Sequence, residues 1–396
     1  MAALGAQIVT GGGSALLASV PRYRPGVAEV LRESLLPWLG VLAVAVVAQF
    51  GLQPLLGEYG ARVAQQAGVY IIAAVSLNVV NGFTGQFSMG HAGFMAVGGY
   101  VAAFVTYYGS MLWFGTAEKM VYPVVAGVSL PLTMGHALML GGIMLGGCVA
   151  AVLGLLVGLP SLRLRGDYLA IVTLGFGEIV RVMLEQSGAQ MFSVEEIRAA
   201  GPEVWLKVPV GGALGISGIP KYADSFWIFL LAAATCLVAY RVKQSSTGRA
   251  FLSIREDEIA ARAMGIHLTA YKVRAFVFAA FFGGVAGGLL VHAGVPFTPG
   301  NAGFQVSFEI IIMVVLGGLG SVSGAVLAAV ILSVLPELLR NLAEYRLILY
   351  ALMLIGMMLG RPKGLLGVRE IWEVFGKKKV AGTHDVGGGA GTAGGV

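Results

Sequence analysis

Apolar runs of membrane-spanning length recur along almost the whole chain. Hydrophobic residues make up 57% of the sequence and charged residues only 12%, about half the charged share of ordinary soluble domains. Lipid offers the backbone no hydrogen-bond partners, so runs of roughly 20 apolar residues form membrane-spanning helices. The sequence therefore predicts an all-α polytopic membrane protein with about ten transmembrane helices. The predicted spans are 35–56, 63–80, 91–109, 135–158, 167–184, 225–241, 271–294, 305–318, 321–339 and 345–360.

The distribution of Lys and Arg between the spans predicts how the chain is oriented. If the N-terminus lies inside, the inner segments hold 18 of the 26 basic residues, and both termini are cytoplasmic. The net charge of +6 then reflects orientation and does not indicate nucleic-acid binding, because the basic residues lie between apolar runs. The predicted parts are an N-terminal arm (1–34), a transmembrane domain (35–360) with a cytoplasmic loop (242–270) and an extracytoplasmic loop (185–224), and a cytoplasmic tail (361–396) disordered from about 381.

The sequence contains no arrangement of residues typical of catalysis or metal binding. Cys148 and Cys236 each lie inside an apolar run, and no carboxylate pair, Cys/His arrangement or metal-ligand cluster stands outside the helices. The phosphate-binding pattern G-x-x-x-x-G-K-[ST] does not occur. We therefore expect a chain that is not an enzyme, binds no metal or cofactor and does not hydrolyse ATP itself.

Glycines and polar side chains are concentrated in the segment 81–93. It contains no Lys or Arg, although the predicted orientation places it on the inner side, where basic residues are most frequent. This pattern predicts a re-entrant or broken helix at membrane depth, which requires protein or a water-filled cavity around its backbone. We interpret the segment as the lining of a polar path through the membrane; a packed structural turn is the alternative. His91 is expected to be a hydrogen-bonded core histidine. The candidate path residues here are Asn78, Asn81, Thr84, Gln86, Ser88 and His91.

Charged residues also lie inside the predicted spans. Glu178, Arg181 and Glu185 follow one another at spacings of three and four, so Arg181 can pair with two carboxylates on one helix face. Unpaired charge at membrane depth costs at least about 2.5 kcal/mol. The group is either a polar element that faces the path or a partner, or a self-neutralised structural cluster. Glu309, in the eighth span, is treated in the same way.

The long polar segment 246–265 is crowded by basic residues and lies in the predicted cytoplasmic loop. It predicts a short helix or helix pair that projects from the bilayer and docks against another protein. Gly265 would end the helix, and the small side chains of Ala260 and Ala261 would permit close contact. The alternative is an amphipathic loop that lies on lipid headgroups.

Several motifs strengthen the docking interpretation. They are GFTGQFSMGHAGF at 82–94, GDYLA at 166–170, TGRA at 247–250, EIAARAMG at 258–265, GGLGS at 317–321 and RPKGLLG at 361–367. The motif at 258–265 resembles the cytoplasmic Glu-Ala-Ala…Gly loop of ABC importer permeases. Together the motifs resemble the branched-chain amino acid permeases of the LivM family, and they cover most of residues 70–367 in the family's order.

The resemblance implies a permease subunit that forms half of a translocation path for branched-chain amino acids in the inner membrane of a prokaryote. It implies a second similar permease, two cytoplasmic ATPase subunits that use ATP and Mg²⁺, and an extracytoplasmic amino-acid-binding protein as partners, within membrane lipid. The residues that it implies for coupling to the ATPases are Gly248, Arg249, Arg255, Glu256, Glu258, Ala260, Ala261, Arg262 and Gly265.

Two other functions remain open at this stage. A urea or short-amide permease of the same superfamily would share these motifs. An ion-coupled secondary transporter would also have about ten spans, broken helices and buried carboxylates such as Glu178 and Glu309. The long cytoplasmic loop argues against this carrier, because ion coupling needs no docking site for an ATPase.

Overall fold

The structure is a computed structural model, which describes residues 27–118, 124–125, 128–129, 133–161, 167–294 and 297–339, and shorter pieces between 345 and 375. The described residues fall into two compact units, which divide between residues 43 and 44. The described part of the first unit is helical, and the second unit contains the remaining elements. The predicted N-terminal arm up to residue 26 and the predicted tail from residue 376 lie outside the described residues.

Helices make up most of the described chain. They are α1 (Val27–Asn78), α2 (His91–Phe114), α3 (Met134–Ser161), α4 (Asp167–Glu185), α5 (Val194–Ala199), α6 (Pro202–Leu206), α7 (Ser225–Gln244), α8 (Ser246–Glu256), α9 (Glu258–Ala263), α10 (Leu268–His292), α11 (Phe304–Gly317), α12 (Val322–Leu338) and α13 (Ile371–Phe375). A π-helical turn, Val79–Phe83, directly follows α1. Two short strands, β1 (Val124–Val125) and β2 (Val128–Ser129), pair antiparallel.

Five helical segments among the described residues are long and apolar enough to cross a membrane, so the chain is a multi-pass membrane protein, as predicted. They are Leu35–Phe83, His91–Phe114, Met134–Pro160, Ser225–Gln244 and Leu268–His292. The first contains two predicted spans, and Gly57, at φ 70° and ψ 178°, interrupts the helical backbone between them. Helices α11 and α12 are shorter apolar helices, and α4 carries charged residues. The count of ten spans stays a prediction, and half of the residues of the tenth, 345–360, lie outside the described residues.

Glycines allow α2, α3 and α10 to pack closely within the core of the second unit. A Cβ on Gly98 of α2 would overlap the backbone of Gly284 in α10, and one on Gly287 would overlap the carbonyl of Met95. A Cβ on Gly146 of α3 would overlap the carbonyl of Gly98. Glycines four residues apart, such as Gly283/Gly287 and Gly284/Gly288 in α10, allow helix backbones to approach this closely.

Candidate coupling site

The chain breaks its helical path between α1 and α2, as the glycine-rich segment predicts. Helix α1 ends at Asn78, the π-helical turn follows, and residues 84–90 form an irregular connection to His91 at the start of α2. All six of the predicted path residues in this region are buried within the chain. The broken helix is thus confirmed, whereas the role of its side chains in lining a path stays a prediction.

Asn78 fastens this break to the turn between α11 and α12. Its side-chain Nδ2 donates to the carbonyl of Ser321 at 2.9 Å, and its Oδ1 accepts from the backbone N–H of Gly320 at 2.9 Å. Gly82 leaves the space that this contact needs, because a Cβ there would overlap both Asn78 Oδ1 and the Gly320 nitrogen. The buried side-chain amide of Asn78 therefore joins two segments that are far apart in sequence.

Most of the other polar groups in the break bond within the protein. Thr84 donates to the carbonyl of Val80 at 2.8 Å, and the backbone N–H of Ser88 donates to Asn81 Oδ1 at 3.2 Å. Both polar side-chain atoms of Gln86, which is buried, have no hydrogen-bond partner in the described part of the chain, and the same is true of Asn81 Nδ2. The side-chain amides of Gln86 and Asn81 can therefore form further hydrogen bonds, either with a ligand or water or with protein groups that a movement of the segment would bring close.

His91 lies at the start of α2, and its Nε2 is 3.0 Å from the hydroxyl of Ser76. Its ring is almost fully buried, and it lies where a Cβ on Gly283 would touch it. Among the described residues, no group of three or more His, Cys, Asp and Glu could hold a metal ion. His91 is thus the hydrogen-bonded core histidine that the sequence analysis favours over a metal ligand.

Arg255, near the end of α8, connects the predicted cytoplasmic loop to the same break. Its Nη1 donates to the carbonyl of Gly82 at 2.8 Å and to the carbonyl of Leu319 at 3.3 Å. Gly85, at φ 68°, lies directly against Arg255, and a Cβ there would contact the Arg255 side chain at 3.1 Å. One guanidinium therefore joins α8, the break after α1 and the turn after α11.

The helix pair α8–α9 is defined by caps that the sequence encodes locally. Ser245 accepts from the N–H of Gly248 at 3.2 Å to begin α8, and Asp257 accepts from the N–H of Ile259 at 2.7 Å to begin α9. Gly265, at φ 83°, follows the end of α9, and its N–H donates to the carbonyl of Arg262 at 3.0 Å. The prediction that Gly265 ends the helix is confirmed, because this left-handed conformation favours glycine.

The helix pair presents different residues to its own chain and to solvent. Ala261 is buried against Ile254 and Leu268, so its small side chain allows α9 to pack on its own chain. Ile259 and Met264 are 80% and 84% exposed, and the sequence analysis did not select either one. Most of the predicted coupling residues are also exposed, namely Arg249, Glu256, Glu258, Ala260, Arg262 and Gly265, whereas Gly248 is buried.

Two ion pairs flank the exposed face of the helix pair. Lys272 of α10 donates to Glu258 at 2.6 Å, which ties the first turn of α9 to a neighbouring helix. Glu256 lies 3.9 Å from Arg255, but its side chain is 77% exposed, so this contact adds little. Arg249 Nη1 donates to the carbonyl of Gln244 at 3.2 Å, within the same segment.

A buried carboxylate, that of Glu370, lies between the end of α7 and the start of α12. Glu370 accepts from Lys243 Nζ at 2.5 Å and from the backbone N–H groups of Val322 and Ser323, at the N-terminus of α12. Burial alone raises the pKa of Glu370, but hydrogen bonds from Lys243 and Ser323 outweigh it and hold the pKa below its usual value. No local pattern in the sequence indicates this contact, because its partners are 47 and 127 residues away.

The charged cluster on α4 forms as the spacing predicts. Arg181 Nε donates to Glu178 at 2.7 Å, and its Nη1 donates to Glu185 at 2.5 Å. The three side chains remain 33–40% exposed within this chain, and Ile179 and Met183 beside them are more exposed still. The pairing is confirmed, whereas a polar element that faces the path or a partner stays a prediction.

Removing Arg181 should lower the yield of folded protein several-fold. Arg181→Ala leaves Glu178 and Glu185 without their common partner, and unpaired carboxylates on a predicted membrane span are unfavourable. A triple variant in which Ala replaces Glu178, Arg181 and Glu185 should recover much of the yield. Size-exclusion chromatography of the detergent-solubilised protein measures this yield. An equally low yield for the triple variant would rule out pairing as the reason for the loss.

Glu309 lies apart from both groups. It is in the second turn of α11, eight residues and therefore about 12 Å from Gly317, where α11 ends beside the Arg255 contact. It lines a cavity formed with α1, α10 and α12. The structure therefore distributes the predicted path residues over three places: the break after α1, the exposed face of α4 and the wall of this cavity.

This bundle of apolar helices, with a break in one helix that is hydrogen-bonded to a helix pair outside the predicted spans, has the architecture expected of a membrane permease. A family model described as the permease component of branched-chain amino acid transport systems matches residues 60–359. The chain belongs to this family, and it is a permease subunit of an ABC importer of that class. Permeases of this class work together with other ABC components.

Curated relatives agree with the family assignment. The chain is 34% identical to the LivM permease protein of the high-affinity branched-chain amino acid transport system of Salmonella typhimurium, over 83% of this chain and 74% of the relative. It is 35% identical to LivM of Escherichia coli, over 75% of this chain and 68% of the relative. LivH, a permease protein of the same description from Escherichia coli, is 31% identical over 37% of this chain and 48% of its own length. No solved structure matches the chain.

Proposed function

We propose that this chain forms half of the translocation pathway of an importer for branched-chain amino acids and couples that pathway to ATP hydrolysis in other subunits. Its partners are a second, homologous permease, two cytoplasmic ATPase subunits that use ATP and Mg²⁺, and an extracytoplasmic binding protein that delivers the amino acid. The chain itself has no catalytic role. The similarity of one chain to both LivM and LivH supports a pathway built from two related permeases.

The contact of Arg255 with the break is the observation that carries this proposal. Arg255 belongs to the helix pair α8–α9, and its two acceptor carbonyls belong to the break after α1 and to the turn between α11 and α12. A displacement of the helix pair would therefore move backbone that lies beside the helices of the bundle. The exposed apolar side chains of Ile259 and Met264 offer a surface on which an ATPase subunit can bind and apply that displacement.

The proposed orientation places both termini and the helix pair in the cytoplasm of a prokaryote, with residues 185–224 outside its inner membrane. The bias of Lys and Arg supports it. Contacts among segments that this topology assigns to the inner side also support the orientation. These segments are the break after α1, the helix pair, the α11–α12 turn and the segment around Glu370. The loop 185–224 then faces the binding protein.

Single cysteines test orientation and docking in one experiment. Ile259→Cys and Leu214→Cys are made separately in a background with Cys148→Ala and Cys236→Ala; both native side chains are at least 80% exposed. An impermeant maleimide should label the thiol at position 259 only from the cytoplasmic side, and bound ATPase subunits should protect it. The control thiol at position 214 should be labelled only from outside and should be indifferent to the ATPases. Labelling of both positions from one side would overturn the orientation, and absence of protection would overturn the docking surface.

A further inference from the structure

Segments of four helices line a cavity on the side of the bundle away from Arg255. Its volume is about 550 Å³, within the range of about 300–1,000 Å³ typical of small-molecule sites. The walls come from α1 after Gly57, the end of α10, the start of α11 and the end of α12. The proposed topology places all four of these segments on the extracytoplasmic side.

The lining of this cavity combines the carboxylates of Glu309 and Glu337, neutral polar groups and an apolar wall. Glu309 is half-buried and has no hydrogen bond or salt bridge to another described residue. Gln66 lies beside the hydroxyl of Tyr70, and the buried Ser333 Oγ lacks a partner in the described part of the chain. Leu290, Met313 and Leu332 supply the apolar surface.

A positive charge stands near the mouth of the cavity. Arg62 lines it and pairs with Glu58 at 3.7 Å, but the two side chains are 70% and 78% exposed. An ion pair this exposed and this long contributes little free energy, so Arg62 can turn to a ligand at small cost. The cavity therefore offers the guanidinium of Arg62, the carboxylates of Glu309 and Glu337, and apolar contacts to one occupant.

We infer that this cavity is a transient binding site for a zwitterionic aliphatic α-amino acid on its way from the binding protein into the membrane. Glu309 accepts from the ammonium group. The amide of Gln66, the hydroxyl of Tyr70 and the guanidinium of Arg62 donate to the carboxylate, and Leu290, Met313 and Leu332 contact the aliphatic side chain. The inference rests on the proposed function, because it assigns the substrate of the importer to a place within this chain.

The chemistry of the lining separates this ligand from the alternatives. A neutral amide such as urea would leave the Glu309 carboxylate without a cationic partner and would not fill the apolar side of the cavity. Loss of charge pairing and of apolar contact both weaken binding. An amino acid with a branched aliphatic side chain satisfies all three kinds of lining group at once.

Protection of a thiol at the mouth tests the inference. Gln305 is exposed and lines the cavity, whereas Gln186 is exposed and lies elsewhere. Gln305→Cys and the matched control Gln186→Cys are made separately in the background with Cys148→Ala and Cys236→Ala. Each is assembled with the second permease and the ATPase subunits in lipid nanodiscs, without the binding protein. The rate of maleimide modification is then measured against the concentration of L-leucine and, separately, of urea.

L-leucine should slow modification at position 305 several-fold and leave position 186 unchanged, and urea should do neither. Adding Glu309→Gln should raise the leucine concentration needed for protection by about tenfold, the expected effect of losing a charge-assisted hydrogen bond. Continued modification of position 305 in that variant shows that the site is still folded and open. No protection by leucine, equal protection by urea, or an unchanged leucine dependence in Glu309→Gln would each overturn the inference.

A second readout separates this inference from the proposed function. Stimulation of ATP hydrolysis by the loaded binding protein is measured on the same assemblies. Normal stimulation without protection by leucine would remove the amino-acid site and leave the importer function standing. Loss of stimulation in the parent assembly, before any substitution in the cavity, would count against the proposed function itself.

Discussion

Arg255→Gln should lower amino-acid uptake by about tenfold or more while the ATPase subunits remain bound. The substitution removes a charged donor that reaches the carbonyls of Gly82 and Leu319 at 2.8 and 3.3 Å. Hydrogen bonds to charged groups contribute about 1.5–3 kcal/mol. Without this contribution, the fraction of molecules in which the helix pair and the break move together should fall by about tenfold or more. The measurement is uptake of labelled leucine into vesicles, together with co-purification of the ATPase subunits.

Arg262→Gln is the matched contrast, because it removes the same charge from the exposed face of the helix pair. It should weaken ATPase association, whereas Arg255→Gln should leave association intact and separate hydrolysis from uptake. Normal uptake in Arg255→Gln would contradict the link to the break. Loss of the ATPase subunits from Arg255→Gln would show that Arg255 belongs to the docking surface instead.

Glu370→Leu should produce the largest loss of stability among single substitutions at the inner side. It removes the carboxylate that pairs with the largely buried ammonium of Lys243, whose side chain is 15% exposed, and that accepts from the N–H groups of Val322 and Ser323 at the start of α12. Breaking a buried pair in this way costs about 3–5 kcal/mol. The double variant Glu370→Leu with Lys243→Leu should recover part of this loss. Thermal unfolding of the detergent-solubilised protein measures both changes, and equal unfolding temperatures for the parent and Glu370→Leu would contradict the assignment.

The same carboxylate should make stability depend on pH. Because the pKa of Glu370 lies below its usual value of 4.5, its contribution to stability is fully present above pH 4.5 and is lost as the pH falls through the folded-state pKa. The parent protein should therefore lose stability below pH 4.5 more steeply than Glu370→Gln, which has no carboxylate to titrate at this position.

The sequence predicts those features that depend on local spacing. The trio Glu178, Arg181 and Glu185 pairs as predicted because neighbours on one helix face are three and four residues apart. The break in the helix follows from glycines and polar residues close together in one segment. The end of α9 at Gly265 follows from the conformational freedom of glycine. The apolar composition and runs predict the membrane class, and the family motifs predict the importer function.

The contacts that join distant segments could not be predicted in this way. Asn78 and Ser321 are 243 residues apart, and Arg255 and Gly82 are 173 residues apart. Which side chain meets which carbonyl depends on the packing of complete helices, and no periodicity records it. The exposed face of α9 has the same origin. Ala261 is buried and Ile259 is exposed because α9 packs on Ile254 of α8 and Leu268 of α10, and hydrophobicity alone would suggest the reverse.

The energy source for uptake tests the central claim most directly. The chain is reconstituted into vesicles with the second permease, the ATPase subunits and the loaded binding protein, and leucine accumulation is measured with ATP alone and with an imposed proton or sodium gradient alone. We expect accumulation only with ATP, and its loss in Arg255→Gln. Accumulation driven by an ion gradient without ATP would contradict the account, because an ion-coupled carrier has no need for the connection from the helix pair to the break.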